Sequence, residues 1–150
     1  MGHGFNLYWT GQTQEERSRI PYPALATLKS MFQLIGHHPE IISAYGPEVD
    51  QLYELYNYLL DKRTFEADPE AWMEPAKLLE TIDKLIAGAK RRDPVIEPLA
   101  RHYSDHERPK IAEEEDWEYM VDHLALLRDA VAEAIKLGAG PITFDGSFNV

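Results

Sequence analysis

From Glu113 to Leu137 the chain carries neither proline nor glycine. Over that stretch Trp117, Met120, Val121, Leu124, Leu127, Val131, Ala134 and Ile135 recur at the spacing of one helical face. A stripe of this kind is stable only when other elements cover it, so it constrains the whole fold. The rest of the chain supplies the cover as further stripes of the same period, each fenced by proline or glycine. Ala24, Leu25, Leu28, Met31, Phe32 and Ile35 form one, opening near Pro21 or Pro23 and stopped by Gly36. Val49, Leu52, Tyr53, Tyr56, Leu59 and Leu60 form another behind Gly46-Pro47. Leu78, Leu79, Ile82, Leu85, Ile86 and Ala89 follow Pro75, and Ile96, Leu99, Ala100 and Tyr103 follow Asp93-Pro94. Proline suits an opening turn, where its missing N–H has no partner to lose, and aspartate before it caps the free N–H groups. Gly138 and Gly140-Pro141 end the last stripe. Residues 11–19, 61–69 and 104–112 are expected to connect, with a short turn at 40–45.

The chain ends follow a different rule. Phe5, Leu7 and Trp9 alternate with Asn6 and Tyr8, the period of a strand. Residues 142–150 are also β-leaning, with Asp145-Gly146 able to support a turn. Phe5, Tyr8, Trp9, Phe144 and Phe148 are too apolar for free tails. The two ends therefore pair with each other, lie over the helices, or bury against a second chain as a homodimer. A chain of 150 residues can bury roughly 68–70% of its unfolded surface in one core. The expectation is a mainly α, single-domain bundle of about five helices over residues 1–150, with short extended segments at the N- and C-termini.

Charge narrows the function. Fifteen basic residues face 26 acidic ones, a net charge of −11, and residues 111–150 alone hold 2 basic and 9 acidic side chains. This balance repels phosphates and disfavours direct nucleic-acid binding. Lys90, Arg91 and Arg92 form a compact basic group, but they sit where a helix ends and suit the negative end of its dipole. No apolar run exceeds four residues, so no membrane span is expected, and the absence of cysteine excludes disulfides, thiolate metal sites and cysteine catalysis. The profile fits a cytoplasmic protein.

The acidic run Glu113-Glu114-Glu115-Asp116, continued by Glu118 and Asp122, is the most unusual local feature. One or two acids at a helix start are favoured by the dipole. Six within ten positions repel one another, so the surplus points to a solvated face or to a basic partner. The expected role is a non-catalytic protein-binding module, of the kind an immunity or inhibitor protein uses to neutralise a basic partner, with no cofactor. Trp117 and Tyr119 would anchor the partner while Glu114, Glu115, Glu118 and Asp122 steer and pair. Trp117 also belongs to the core-facing stripe, and it cannot serve both roles fully.

An alternative from another class rests on His102 and His106, whose i, i+4 spacing places both imidazoles on one side of a helix. A helical metal-dependent enzyme could use them to hold a divalent metal, with His37, His38 or His123 as third ligand. Neither HExxH nor a Glu-x-x-His pair occurs. Phosphate-binding glycine motifs and a GxSxG nucleophile elbow are absent as well. The tyrosines between Tyr45 and Tyr58 could line a pocket, but suit a helix boundary better, with rings packed and hydroxyls in water.

Overall fold

Pro39, Pro47, Pro75 and Pro94 open elements, and Gly36, Gly46 and Gly138 follow the ends of others. The computed structural model describes residues 4–20, 31–61, 72–101 and 112–147. In chain order these form β1 (Gly4–Trp9), α1 (Gln14–Arg19), a helical stretch at 31–35, α2 (Pro39–Tyr45) and α3 (Pro47–Asp61). They continue as α4 (Pro75–Lys90), a 3-10 turn (Pro94–Ile96), α5 (Glu97–Arg101), α6 (Glu114–Lys136) and β2 (Ile142–Ser147). The fold is mainly α, with one small two-stranded sheet. Among the described residues no helix is long and apolar enough to cross a membrane.

The two strongest stripes meet. α4 packs along α6, burying Leu78, Ile82, Leu85 and Ala89 together with Trp117, Met120, Leu124, Leu127, Val131 and Ala134. Ile135 departs from the expectation: it is 37% exposed, in the last turn of α6. Gly138, at φ +85°, then provides the left-handed residue that stops the helix. α2 packs on α3, and α5 on α6, extending the same core.

β1 and β2 pair antiparallel from Gly4↔Ser147 to Trp9↔Ile142, so the chain ends do find each other. Leu7, Trp9 and Ile142 are buried in the core cluster. Asp145-Gly146 is strand, opposite Asn6 and Phe5, and not a turn, because the ladder to β1 sets its conformation. Met73 adds a single bridge on the other edge of β2, donating to the Ile142 carbonyl at 2.7 Å and accepting from the Ile142 N–H at 2.9 Å.

Two expected connections are helical instead. α1 lies inside the stretch 11–19 and is started by a reciprocal capping box. The Thr13 hydroxyl accepts from the Glu16 N–H at 3.1 Å, and the Glu16 carboxylate accepts from the Thr13 N–H at 2.9 Å. The expected turn at 40–45 is the helix α2, opened by Pro39 and held by buried Ile41 and Tyr45. Expectations placed on residues 21–30, 62–71 and 102–111 lie outside the described residues.

One polar node ties α2, α4 and the 3-10 turn together. The Tyr45 hydroxyl donates to Asp93 Oδ2 at 2.5 Å, while Asp93 Oδ1 caps the turn by accepting from the Val95 N–H at 3.0 Å. Gly88 makes room: a Cβ there would overlap the Tyr45 hydroxyl. Tyr45 is thus a buried tyrosine with an internal partner, not a boundary residue with its hydroxyl in water. The Tyr45 hydroxyl bond, then the Val95 N–H, hold the Asp93 carboxyl below its usual range against the opposing effect of burial. Burial and the neighbouring Asp93 push the Tyr45 hydroxyl well above its own.

Candidate protein-binding face

The first turn of α6 uses some of its acids internally. Asp116 is buried, and its Oδ2 accepts from the Glu113 N–H at 2.9 Å, which caps the helix. Glu114 is paired across the fold with Arg92, whose Nε donates to Oε2 at 3.1 Å and whose Nη2 meets Oε1. Arg92 itself sits in the left-handed region at φ 60°, just past α4, and donates from Nη1 to the carbonyls of Ala89 and Lys90. The basic group at 90–92 therefore does close a helix end, and it also takes up one carboxylate of the acidic run. Trp117 is 4% exposed and belongs to the core. Of its two expected roles, packing is the one this burial supports.

Five of the expected contact residues remain on the surface, Glu114 among them despite its pairing with Arg92. Glu115, Glu118, Tyr119 and Asp122 are all exposed. Tyr119 donates its hydroxyl to Glu115 Oε1 at 2.7 Å, an i, i+4 bond that fixes its ring on the helix surface. Among the described residues no cation pairs with Glu118 or Asp122. The face continues beyond Asp122. At 100° per residue, Glu115, Tyr119, Asp122, Leu126, Asp129 and Glu133 lie within about 40° of a common line, over roughly 27 Å of helix. Leu126 and Tyr119 are 39% and 42% exposed on that line. Arg128 turns toward α4, where its Nε reaches Asp83 Oδ1 at 2.7 Å, with Asp129 at 3.9 Å from its Nη1. Sequence reasoning missed Leu126, Asp129 and Glu133, although their 3–4 spacing from Asp122 was available.

Among the described residues the histidines give no comparable site. His102 and His106 lie outside the described residues. His38 precedes α2 without a side-chain capping bond, its Nδ1 3.2 Å from Glu40 Oε1, and His123 Nδ1 is 2.7 Å from the Tyr119 carbonyl. Among the described residues no three His, Asp or Glu side chains gather as a metal would require. An open cleft of about 310 Å³ lies beside the sheet, lined by Thr10, Trp72, Gly140 and Pro141. Trp72 also leans on Tyr8, ring centroids 6.0 Å apart and planes tilted by 51°. Among the described residues that lining holds no titratable group.

No family model matches this chain, and neither a curated protein nor a solved structure is detectably similar to it.

Proposed function

We propose that the protein is a non-catalytic binding module whose outer α6 face receives a basic protein, in the manner of an immunity or inhibitor protein. The observation that carries this reading is the placement of charge on α6. Glu115, Glu118, Asp122 and Asp129 are exposed along one line or its flank, with Glu133 half-buried on it, while Arg128 reaches Asp83 as well as Asp129 and Glu114 pairs with Arg92. An exposed, net anionic ridge steers a cationic protein toward itself and repels nucleic acid and a second copy of a chain with net charge −11. The first turn of α6 contributes less than its composition implies, and the centre of the surface moves toward Tyr119 and Asp122.

Incubating the tagged protein with lysate of its native cell at low and high salt tests the reading. A basic protein retained at low salt and weakened at high salt is the expected result. Recovery of no basic protein at either salt counts against it.

A further inference from the structure

β1, β2 and the segment at Met73 set three backbones side by side. One row across them, Trp9, Ile142 and Met73, is buried in the core. Side chains alternate along extended backbone, so the neighbouring row, Tyr8, Thr143 and Trp72, belongs to the opposite face. Tyr8 and Trp72 are two strand spacings apart, about 10 Å of backbone. Their ring centroids are nevertheless 6.0 Å apart, so the rings lean together over Thr143. That cover accounts for Thr143 being only 1% exposed on the face away from the core. Beneath the rings, Thr143 Oγ1 has no hydrogen-bond partner among the described residues, an arrangement that folded proteins rarely leave unanswered. Two residues along each strand on the same face, Thr10 and Pro141 line the cleft of about 310 Å³ together with Gly140 and Trp72. Trp72 is therefore shared between the two features: it walls the cleft and covers the unpaired hydroxyl.

We infer that this cleft binds a small neutral aromatic molecule bearing a hydroxyl group. The ligand ring lies against Trp72 and Pro141, and its hydroxyl bonds to Thr143 Oγ1 when the Trp72 indole parts from Tyr8. Among the described residues the lining carries no charge, so an ionic ligand would give up its water there without compensation. The tilted contact between Tyr8 and Trp72, at 51°, is one that a ligand ring can take over from Tyr8. A threonine hydroxyl both donates and accepts, which matches a phenolic hydroxyl and leaves a plain hydrocarbon unanswered. The volume is at the small end for ligand pockets, roughly 300–1,000 Å³, and suits a molecule of this size. The site is separate from the α6 face and stands whether or not that face receives a protein.

The test titrates the intact, nitrogen-15-labelled protein with p-cresol and with toluene, which is the same ring and methyl group without the hydroxyl. The readout is the indole N–H signal of Trp72, assigned by its loss in Trp72→Phe; Trp9 and Trp117 are buried in the core and serve as internal controls. p-Cresol should shift the Trp72 signal saturably and bind about fivefold more tightly than toluene, the worth of one hydrogen bond to a neutral hydroxyl. Thr143→Val keeps the shape of the side chain, and circular dichroism checks that the variant is folded. In it p-cresol should lose that advantage and bind no better than toluene. No saturable shift of Trp72 with p-cresol would overturn the site. Equal affinity for the two probes in the parent chain, or an advantage for p-cresol that survives Thr143→Val, would overturn the role of the buried hydroxyl and with it the ligand class.

Discussion

Replacing Gly88 by alanine places a methyl group where the Tyr45 hydroxyl now lies, with Tyr45 Cζ at 3.0 Å and Ile96 Cδ1 at 3.2 Å from the new carbon. Two effects of opposite sign meet there. Alanine is a better helix former than glycine by about 1 kcal/mol in the interior of a helix such as α4. Against this, crowding a filled site costs about 1–3 kcal/mol. Tyr45 can escape only by moving away from Asp93, which forfeits a hydrogen bond to a charged acceptor worth about 1.5–3 kcal/mol. The expected outcome is a net loss of about 2 kcal/mol, the crowding and the lost bond together outweighing propensity. Tyr45→Phe removes the hydroxyl beforehand, leaving Asp93 with Val95 and Arg91. In that background the Gly88→Ala cost should fall by about 1–2 kcal/mol, since the nearest atom is gone and the ring carbon remains only tight. Urea unfolding of the four proteins gives this coupling directly as a double-mutant cycle. A stabilising Gly88→Ala, or equal costs in the two backgrounds within about 0.5 kcal/mol, would refute the packing argument.

Other consequences follow from single side chains. Because the folded state holds the Asp93 carboxyl below its ordinary pKa of about 3.9, its stabilisation is complete above about pH 5 and fades as pH falls through 4 and lower; Asp93→Asn should flatten that part of the acid unfolding curve, and an unchanged slope contradicts the assignment. Arg92 adopts a left-handed conformation that costs a non-glycine residue about 1–2 kcal/mol, so Arg92→Gly should be more stable than Arg92→Ala by about 1 kcal/mol in thermal or urea unfolding. The reverse order would show that the backbone is not strained there. Thr143 is buried with no partner for its Oγ1, so Thr143→Val, of nearly the same shape, should be neutral or stabilising by about 1 kcal/mol. A clear loss of stability would reveal a hydrogen bond to this hydroxyl.

The long stripes were the legible part of the fold, because burial on one face imposes a period that a single sequence displays. α4 and α6 are the examples, down to Pro75 at the opening of one and Gly138 at the close of the other. Short elements were legible only through their caps. α1 carries its Thr13-x-x-Glu16 box in plain sight, yet its polar composition reads as a connection. α2 has just under two helical turns, too short for a period, and depends on Ile41 and Tyr45 reaching the core. Asp145-Gly146 has the local chemistry of a turn, and the ladder to residues five and six overrides it. The same limit applied to the candidate face. A count of carboxylates cannot tell that Asp116 folds inward as a cap, or that Glu114 meets an arginine 22 residues earlier in the chain. What the spacing could have shown, and composition obscured, is that Leu126 and Asp129 continue the line of Tyr119 and Asp122.

The anionic ridge is most directly tested by removing its charge without touching its packing. The triple variant Glu118→Gln, Asp122→Asn, Asp129→Asn alters three exposed side chains. Its melting temperature should stay the same or rise slightly, as self-repulsion falls. Side-by-side recovery from native lysate at low salt should then show the basic protein held by the parent chain and missing, or reduced at least about tenfold, on the variant, chiefly through slower association. Equal recovery by the two proteins would contradict the account.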